Sequence, residues 1–338
     1  MGTNSSWILS LATFTYCMGA ALTYSIVLGD TFQALATSVG VSGVWGTRHA
    51  AILAVSLLAL FPLSQLQSLT ALAPVSLVGV IGTVVTCVFM ATRYFDSAYR
   101  FPNGAFLPTL APHVLPSFGA RTSKGSPISS LILGSMSATA FLSHFAAPDF
   151  LNLLKKGPSR LKEYGRLTLQ AFSGVALINI AILSFGFLTF GGNSAGVILN
   201  NYSNLDVGAS ICRLLMAISV IGGYPFLLRA CNKSLVNLLW KDGEVTVRTS
   251  QRISATILAV ITGLSLLLRN AGLVVSFNGA VMGSAITYIF PALLLLKSKQ
   301  GGRFERLTSP MLIVFGVLVA LMGGSVSLMN AFAPNLLH

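Results

Sequence analysis

Long apolar runs that contain almost no charged residue constrain this chain more than any other feature of its sequence. The stretch from Met311 to Met322 holds no charged residue, and similar runs recur along the chain. Such runs suit membrane-spanning α-helices, which need about 20 residues to cross roughly 30 Å of hydrocarbon. A strand of a membrane β-barrel would instead alternate apolar and polar residues over about 10 positions. The pattern therefore predicts an all-α, polytopic membrane helix bundle.

The scarcity of charge excludes the soluble classes of protein. Charged residues make up 9% of the 338 residues and hydrophobic residues 54%, whereas a soluble domain carries about 25% charged residues. Because unpaired backbone groups are costly in lipid, the chain must cross the bilayer as helices. We predict nine transmembrane spans, at residues 7–28, 48–63, 71–93, 128–150, 167–190, 207–228, 253–268, 272–296 and 309–331.

The distribution of Lys and Arg predicts the orientation of the bundle. Fourteen of these bases fall on one side, in the four loops 64–70, 151–166, 229–252 and 297–308. Six fall on the other side, which includes loops 94–127 and 191–206. Cytoplasmic loops carry the excess of bases in membrane proteins, so we expect a cytoplasmic N-terminus. A glycosylation sequon, Asn201-Tyr202-Ser203, then lies on the outer side.

The polar residues form no recognisable catalytic or metal-binding motif. The four histidines do not pair, and the four cysteines form neither a CxxC motif nor a cluster with His. Cys231 falls in the predicted basic loop 229–252. The formal net charge of +13 follows from bases in the loops between spans, so it does not indicate a nucleic-acid partner. We therefore predict neither an enzyme nor a metal site.

The fourth predicted span carries a stripe of small and polar residues. Ser130, Gly134, Ser137, Phe141 and His144 are spaced by three or four positions, which places them on one face of a helix. Many transporters bind substrates where a helix is broken at mid-depth. We predict Ser130, Gly134, Ser137 and Phe141 as substrate-binding residues, with small-residue helix packing as the alternative. His144 is a candidate proton sensor, because imidazole titrates near neutrality, or a structural hydrogen-bonding residue.

The sixth predicted span carries a proline beside two glycines. Pro225 removes one helical hydrogen bond, and Gly222 softens the same turn. Ser219 and Gly222 are therefore predicted to bind a hard cation such as sodium through a hydroxyl and freed carbonyl oxygens. A simple kink is the alternative interpretation. Arg213, inside the same span, is expected either to snorkel outward or to pair with Asp206.

Six segments, taken together and in order, resemble the amino acid/auxin permease family, especially its neutral amino acid transporter branches. They are ALTYSIVLGD (21–30), FPLSQLQSLTALAPVSLVGVIG (61–82), AFLSHFAAPDFLNLL (140–154), FGFLTFGGN with ILNNY (185–202), ICRLLMAISVIGGYPFLLR (211–229) and FNGAVMGSAITYIFPALLLLK (277–297). They are similar to parts of the family's third to eighth helices and of its tenth.

The resemblance implies a leucine-transporter-like fold of two inverted five-helix repeats with an eleventh helix. It also implies a substrate between the first and sixth family helices, and a sodium site, in coupled members, between the first and eighth. This sequence begins at what resembles the third family helix, so we expect a single transmembrane transporter domain over 1–338 that lacks the first two helices.

The resemblance therefore predicts a secondary active carrier of neutral amino acids, in a plasma, vacuolar or lysosomal membrane. No cofactor is expected other than a coupling ion, Na⁺ or H⁺. The expected partners are an amino acid and the lipid bilayer, and the oligomeric state stays open. A truncated protein that no longer transports, with a regulatory or binding role, is the alternative function.

Overall fold

The structure is a computed structural model that describes residues 6–65, 73–118, 139–154, 157–240, 245–298 and 302–332. The regular elements within these ranges are helices, joined by short 3₁₀ turns and irregular loops. The helices in chain order are α1 Ser6–Ser38, α2 Arg48–Ser64, α3 Ala73–Phe95, α4 Ala147–Leu153, α5 Arg160–Phe190, α6 Val207–Leu239, α7 Val247–Leu267, α8 Ala271–Lys297 and α9 Arg303–Phe332.

Seven helices in the described residues are long and apolar enough to cross a membrane, and α2 is a shorter apolar helix. The prediction of an all-α, polytopic membrane fold is confirmed. The number of spans stays a prediction, because residues 119–138, which hold much of the predicted fourth span, lie outside the described residues.

Several helices are longer than the apolar runs that predict them. α1 continues past residue 28 to Ser38, and α6 continues past residue 228 to Leu239. Hydropathy marks only the part of a helix that matches the hydrocarbon, whereas 33 residues of helix extend about 50 Å. Cys231 therefore lies inside α6 and not in a loop. It is fully buried, and its thiol donates to the carbonyl oxygen of Phe14 at 3.9 Å.

Helix α6 lies between α1 and α3 and runs antiparallel to both. On the α1 side, the Ser25 and Tyr224 hydroxyls are hydrogen-bonded at 2.9 Å, and those of Ser38 and Ser210 at 3.3 Å. On the α3 side, a Cβ added at Gly82 would lie 2.9 Å from the Cβ of Leu215. Small residues bring these backbones close together. The C-terminal ends of α1 and α3 therefore meet the N-terminal end of α6.

Arg48 joins α2 to its neighbours at this same end of the bundle. Its Nε donates to the Asp30 carboxylate at 2.7 Å, and its terminal nitrogens donate to the carbonyl oxygens of Ser265 and Leu268 at 3.0 Å. The last carbonyls of a helix have no partner within the helix. Arg48 thus donates hydrogen bonds to carbonyl oxygens at the C-terminal end of α7 and also forms an ion pair with Asp30 of α1.

Candidate functional site

The predicted fourth span is interrupted within its described residues. The chain leaves the helix at Phe141, and regular helix resumes only at α4, after a 3₁₀ turn at His144–Ala146. Within the break, the N–H of Leu142 donates to the carbonyl oxygen of Thr139 at 3.1 Å. A broken helix can present backbone groups to a substrate at mid-depth in a membrane. The break is therefore the first component of the candidate site.

The break packs on the part of α8 that departs from α-helical hydrogen bonding. Residues Gly279–Gly283 and Ala285–Ile289 of α8 are π-helical. A Cβ added at Gly283 would lie 3.1 Å from Cδ1 of Leu142. Just before the break, the Thr139 hydroxyl donates to the carbonyl oxygen of Val275, in the α-helical first part of α8, at 3.3 Å. Single π turns are rare and occur often at functional sites. Two irregular backbone segments thus meet here.

Phe141 and His144 share an aromatic neighbour on α5. The Phe172 ring centroid lies 6.1 Å from that of Phe141 and 6.5 Å from that of His144. The break separates these two residues from any continuous helical stripe, because the chain is not α-helical between Phe141 and Ala147. His144 is exposed, and its role as a proton sensor stays a prediction.

The other predicted substrate-binding residues, Ser130, Gly134 and Ser137, lie outside the described residues. Their shared helical face and their role therefore stay predictions. Of the predicted substrate-binding set, the structure describes Phe141, which lies at the start of the break.

Asn278 and Ser284 are polar residues of α8 that the sequence reasoning did not single out as site residues. The amide nitrogen of Asn278 donates to the carbonyl oxygen of Tyr16 at 3.0 Å, and Asn278 packs closely on Gly19 of α1. Ser284 lies between the two π-helical segments. Its hydroxyl is buried and has no hydrogen-bond partner among the described residues. A buried hydroxyl is costly to leave unpaired, so Ser284 is a further candidate polar group.

Ser219 and Gly222, the predicted cation-binding residues, both face α3. A Cβ added at Gly79 would lie 2.5 Å from the Ser219 hydroxyl oxygen, and one added at Gly222 would lie 2.5 Å from Cγ1 of Val75. The two residues therefore lie in a close helix–helix contact. Whether they also bind a cation stays a prediction.

Pro225 leaves one carbonyl oxygen of α6 without its normal helical partner. The proline has no N–H to donate to the carbonyl four residues before it, which belongs to Ile221. The helix nevertheless continues to Leu239. The Ser219 hydroxyl and the Ile221 carbonyl are two neutral oxygens within one turn, the type of ligand that hard cations prefer. Among the described residues, no group of three His, Cys, Asp or Glu could hold a metal ion.

A cluster of polar residues lies where the C-terminal end of α3 meets the start of α6. We call Arg93, Tyr99, Asp206 and Arg213 the outer polar cluster, because the predicted orientation places this end of the bundle on the outer side. Asp206 is fully buried. Its carboxylate accepts two hydrogen bonds from Arg93 at 2.8 Å and one from the Tyr99 hydroxyl at 3.0 Å. It also accepts the N–H of Gly208 at 3.0 Å and so caps α6. The carboxylate therefore ties the loop after α3 to the start of α6.

The expectation that Arg213 snorkels outward or pairs with Asp206 is wrong. Arg213 is 1% exposed, and its guanidinium donates to the carbonyl oxygens of Leu199 at 2.9 Å and Tyr202 at 2.7 Å. The physical reason is that Arg93 already forms a bidentate pair with the Asp206 carboxylate. The short 3₁₀ turn at Ile198–Asn201 brings carbonyl groups to Arg213 instead.

Tyr99 completes the outer polar cluster from the long loop after α3. Its ring stacks on Phe106 at 5.2 Å and meets Tyr202 edge-on at 5.0 Å. Burial raises the pKa of the Tyr99 phenol far above its ordinary range. The hydroxyl therefore stays protonated and donates to Asp206. This contact had little signal in the sequence, because 107 residues separate the two side chains.

The predicted sequon on the outer side is buried in the structure. Asn201 is 0% exposed. Its amide nitrogen donates to the carbonyl oxygen of Asn193, and its amide oxygen accepts the N–H of Ala195, both at 2.8 Å. The side chain that would carry a glycan is therefore engaged in holding the loop before α6.

The seven long, apolar helices among the described residues are those of a multi-pass integral membrane protein. The family model for Transmembrane amino acid transporter protein matches residues 1–329, and the chain belongs to this family. The match confirms the resemblance found in the sequence, and with it the prediction of a transporter-family protein that is not an enzyme.

Curated relatives match shorter stretches of the chain. Sodium-coupled neutral amino acid transporter 4 of Mus musculus is 27% identical over 64% of this chain and 37% of its own length. Vacuolar amino acid transporter 2 of Saccharomyces cerevisiae is 27% identical over 46% of this chain and 35% of its own length. Sodium-coupled neutral amino acid transporter 7 of Danio rerio is 27% identical over 44% of this chain and 36% of its own length. The chain thus spans little more than a third of the length of these relatives.

Proposed function

We propose that this chain acts as a secondary active carrier of neutral amino acids, coupled to Na⁺ or H⁺. The observation that supports the proposal most is the family match over residues 1–329. Two relatives are named as sodium-coupled transporters of neutral amino acids, which supports the proposed coupling and substrate class. A third is named as a vacuolar amino acid transporter, which supports a vacuolar membrane as one possible location. The membrane of residence, plasma, vacuolar or lysosomal, belongs to the same proposal.

The substrate is proposed to bind where the break at Phe141 meets the π-helical part of α8. Both segments depart from α-helical bonding, and they touch through Leu142 and Gly283. An amino acid carries an ammonium and a carboxylate, each of which needs hydrogen-bonding groups when it leaves water. Irregular backbone that lines a cavity supplies such groups. The predicted residues Ser130, Gly134 and Ser137 precede this break in the chain.

The proposed substrate site is tested by filling the contact between the break and α8. Gly283→Leu places a side chain where Leu142 already lies, so we expect uptake of a radiolabelled neutral amino acid into proteoliposomes to fall at least tenfold. Gly263→Leu is the matched control, because nothing lies within 4 Å of a Cβ at this exposed position on α7. Equal uptake by both variants, at equal protein abundance, would place the substrate elsewhere.

The proposed cation site is tested by removing one hydroxyl. Ser219→Ala should raise the sodium concentration needed for half-maximal uptake several-fold, because it deletes a neutral oxygen near Pro225. Thr83→Ala is the control, since its hydroxyl lies on α3 and donates to the carbonyl oxygen of Gly79 at 2.9 Å. Sodium-independent uptake by the unmodified protein would assign the coupling to H⁺ and leave Ser219 as a packing residue.

A further inference from the structure

The loop between α1 and α2, residues 39–47, is uncharged and exposes large apolar side chains. Its sequence, VGVSGVWGT, contains no Asp, Glu, Lys or Arg. Val39 and Val44 are each 77% exposed, and Trp45 is 79% exposed. Exposed apolar side chains that are grouped in this way mark contact sites for a protein or a membrane. The loop is therefore a candidate contact surface.

The backbone of this loop is ordered by its own hydrogen bonds. The N–H of Gly40 donates to the carbonyl oxygen of Thr37 at 3.1 Å. The N–H of Val41 donates to the carbonyl oxygen of Ala36 at 2.9 Å. Because Gly40 has a φ of 76°, these two bonds form a Schellman motif that ends α1. A 3₁₀ turn at Gly43–Gly46 then leads into α2, so the exposed side chains belong to a defined conformation.

An ion pair fixes the depth of the loop relative to the bilayer. Asp30 of α1 and Arg48, the first residue of α2, are paired at 2.7 Å. Charged groups are costly in hydrocarbon, so this pair marks a level at its edge, as does the predicted end of the first span at residue 28. Trp45 precedes Arg48 by three residues, and three residues of a 3₁₀ turn rise about 6 Å. Trp45 therefore lies at the level of the head groups, which add about 5–7 Å to each side of the hydrocarbon.

All three tryptophans of the chain lie at or near helix ends. Trp7 lies at the start of α1 and Trp240 directly follows α6, and both are exposed. Because α1 and α6 are antiparallel, these two tryptophans lie at the end of the bundle opposite Trp45.

The spacing of the two tryptophan levels matches the thickness of a bilayer. The 23 residues of helix from Trp7 to Asp30 rise about 35 Å, and the step to Trp45 brings the separation to about 40 Å. A bilayer with its head groups is about 40–45 Å thick, and Trp is enriched at both of its interfaces. Contact with a protein partner would not require this spacing.

We propose that Val44 and Trp45 insert into the head-group layer of the predicted outer leaflet and anchor the start of α2 there. Trp suits this layer because its ring is apolar and its N–H reaches polar groups. The anchor matters most for α2, whose 17 residues rise about 26 Å, less than the thickness of the hydrocarbon. The loop fixes the level at which this short helix begins. This anchoring does not depend on the proposed transport.

Tryptophan fluorescence tests the depth of the loop in the whole protein. Trp7→Phe/Trp240→Phe leaves Trp45 as the single tryptophan of the chain. The variant is placed in phosphatidylcholine nanodiscs whose acyl chains carry bromine, a contact quencher, either beside the head group or near the chain end. We expect shallow bromine to quench Trp45 at least twofold more than deep bromine, and aqueous iodide to quench it at least threefold less than free tryptophan. Strong quenching by iodide would place the loop in water, and protection from both quenchers would show that another protein covers it; either result would overturn the inference.

A matched pair of labelled variants tests the depth at two positions of the same loop. Val39 and Val44 are equally exposed, but Val39 directly follows α1, about 48 Å along the helix axis from Trp7 and so beyond the head groups. Val39→Cys and Val44→Cys, each combined with Cys87→Ser because the other cysteines are buried, are labelled with a fluorescent dye that aqueous dithionite bleaches. Bleaching should be at least fivefold slower for Val44→Cys than for Val39→Cys. Equal rates at the two positions would contradict the proposed anchor.

Discussion

The guanidinium of Arg93 donates two hydrogen bonds of 2.8 Å to the carboxylate of Asp206, although 113 residues separate them in the sequence. The side chain of Asp206 is 0% exposed and that of Arg93 is 27% exposed. The pair joins the end of α3 to the start of α6, beside the carbonyl groups that bind Arg213. This end of the bundle is therefore held by polar contacts, whereas most apolar side chains of α5 are exposed, among them Leu169 and Leu177.

Substitution of Asp206 should destabilise the protein strongly. Asp206→Asn removes the buried charge that Arg93 binds. Breaking a fully buried ion pair costs about 3–5 kcal/mol, and because the Arg93 side chain is 27% exposed we expect a loss near or below the lower end of that range. Asp96→Asn is the matched control, because Asp96 also pairs with Arg93, at 2.9 Å, but is 41% exposed. Exposed pairs contribute about 0–1 kcal/mol. Thermal unfolding of the purified protein in one detergent should show a large loss for Asp206→Asn alone; equal losses would contradict a central role for Asp206.

The contact between α3 and α6 at Gly79 should tolerate an added methyl group only if Ser219, which faces Gly79, is replaced by a smaller residue. Gly79→Ala places a Cβ 2.5 Å from the Ser219 hydroxyl oxygen, and overpacking of this kind costs about 1–3 kcal/mol. Adding Ser219→Gly clears that contact and should restore part of the loss in the same thermal assay. Gly174→Ala, with nothing within 4 Å of its added Cβ, should leave stability unchanged or slightly higher. Additive losses in the double variant would show that the two residues do not touch.

The buried sequon should carry no glycan. Asn201 has both of its amide groups engaged and is 0% exposed, so treatment of the protein from eukaryotic cells with an amidase that removes N-glycans should not change its mobility on a gel. Asn201→Gln should instead lower thermal stability, because the longer side chain displaces both hydrogen bonds. A mobility shift that disappears in Asn201→Gln would show that the site is modified before the loop folds.

The loop before α6 should be accessible from the outside of the cell. Asn200 is exposed, whereas the Asn193 amide donates to the carbonyl oxygen of Leu115 at 2.9 Å, so Asn200→Cys perturbs the loop less. An impermeant thiol reagent should label Asn200→Cys on intact cells that display the protein at their surface. The unmodified protein is the control, because three of its four cysteines are buried. Labelling that requires permeabilised cells would reverse the predicted orientation.

Much of the fold was predictable because apolar runs are local signals. The helices α3 and α8 lie within a few residues of the predicted spans 71–93 and 272–296. The ends of α1 and α6 were not predictable from hydropathy, since both helices continue beyond the hydrocarbon. A helix continues as long as its backbone hydrogen bonds continue, and polar side chains beyond the hydrocarbon do not break those bonds.

The polar contacts were harder to predict than the spans, because they join residues far apart in sequence. Arg213 is close in sequence to Asp206, yet Arg93, which belongs to another helix, is the residue that binds the Asp206 carboxylate. The break at Phe141 had only an indirect signal in the preceding small and hydroxyl residues. The π-helical turns of α8, which meet the break at Gly283, had no signal that we recognised.

Uptake by the purified protein tests the proposed function most directly. The protein, encoded with any coding sequence that precedes residue 1, is reconstituted into liposomes and supplied with radiolabelled neutral amino acids under an imposed Na⁺ gradient, an imposed H⁺ gradient or neither. We predict saturable accumulation of at least one neutral amino acid, which requires one of the two gradients and is abolished when that gradient is collapsed. Stable, folded protein that accumulates no amino acid under either gradient would contradict the proposed transport and favour a regulatory or binding role.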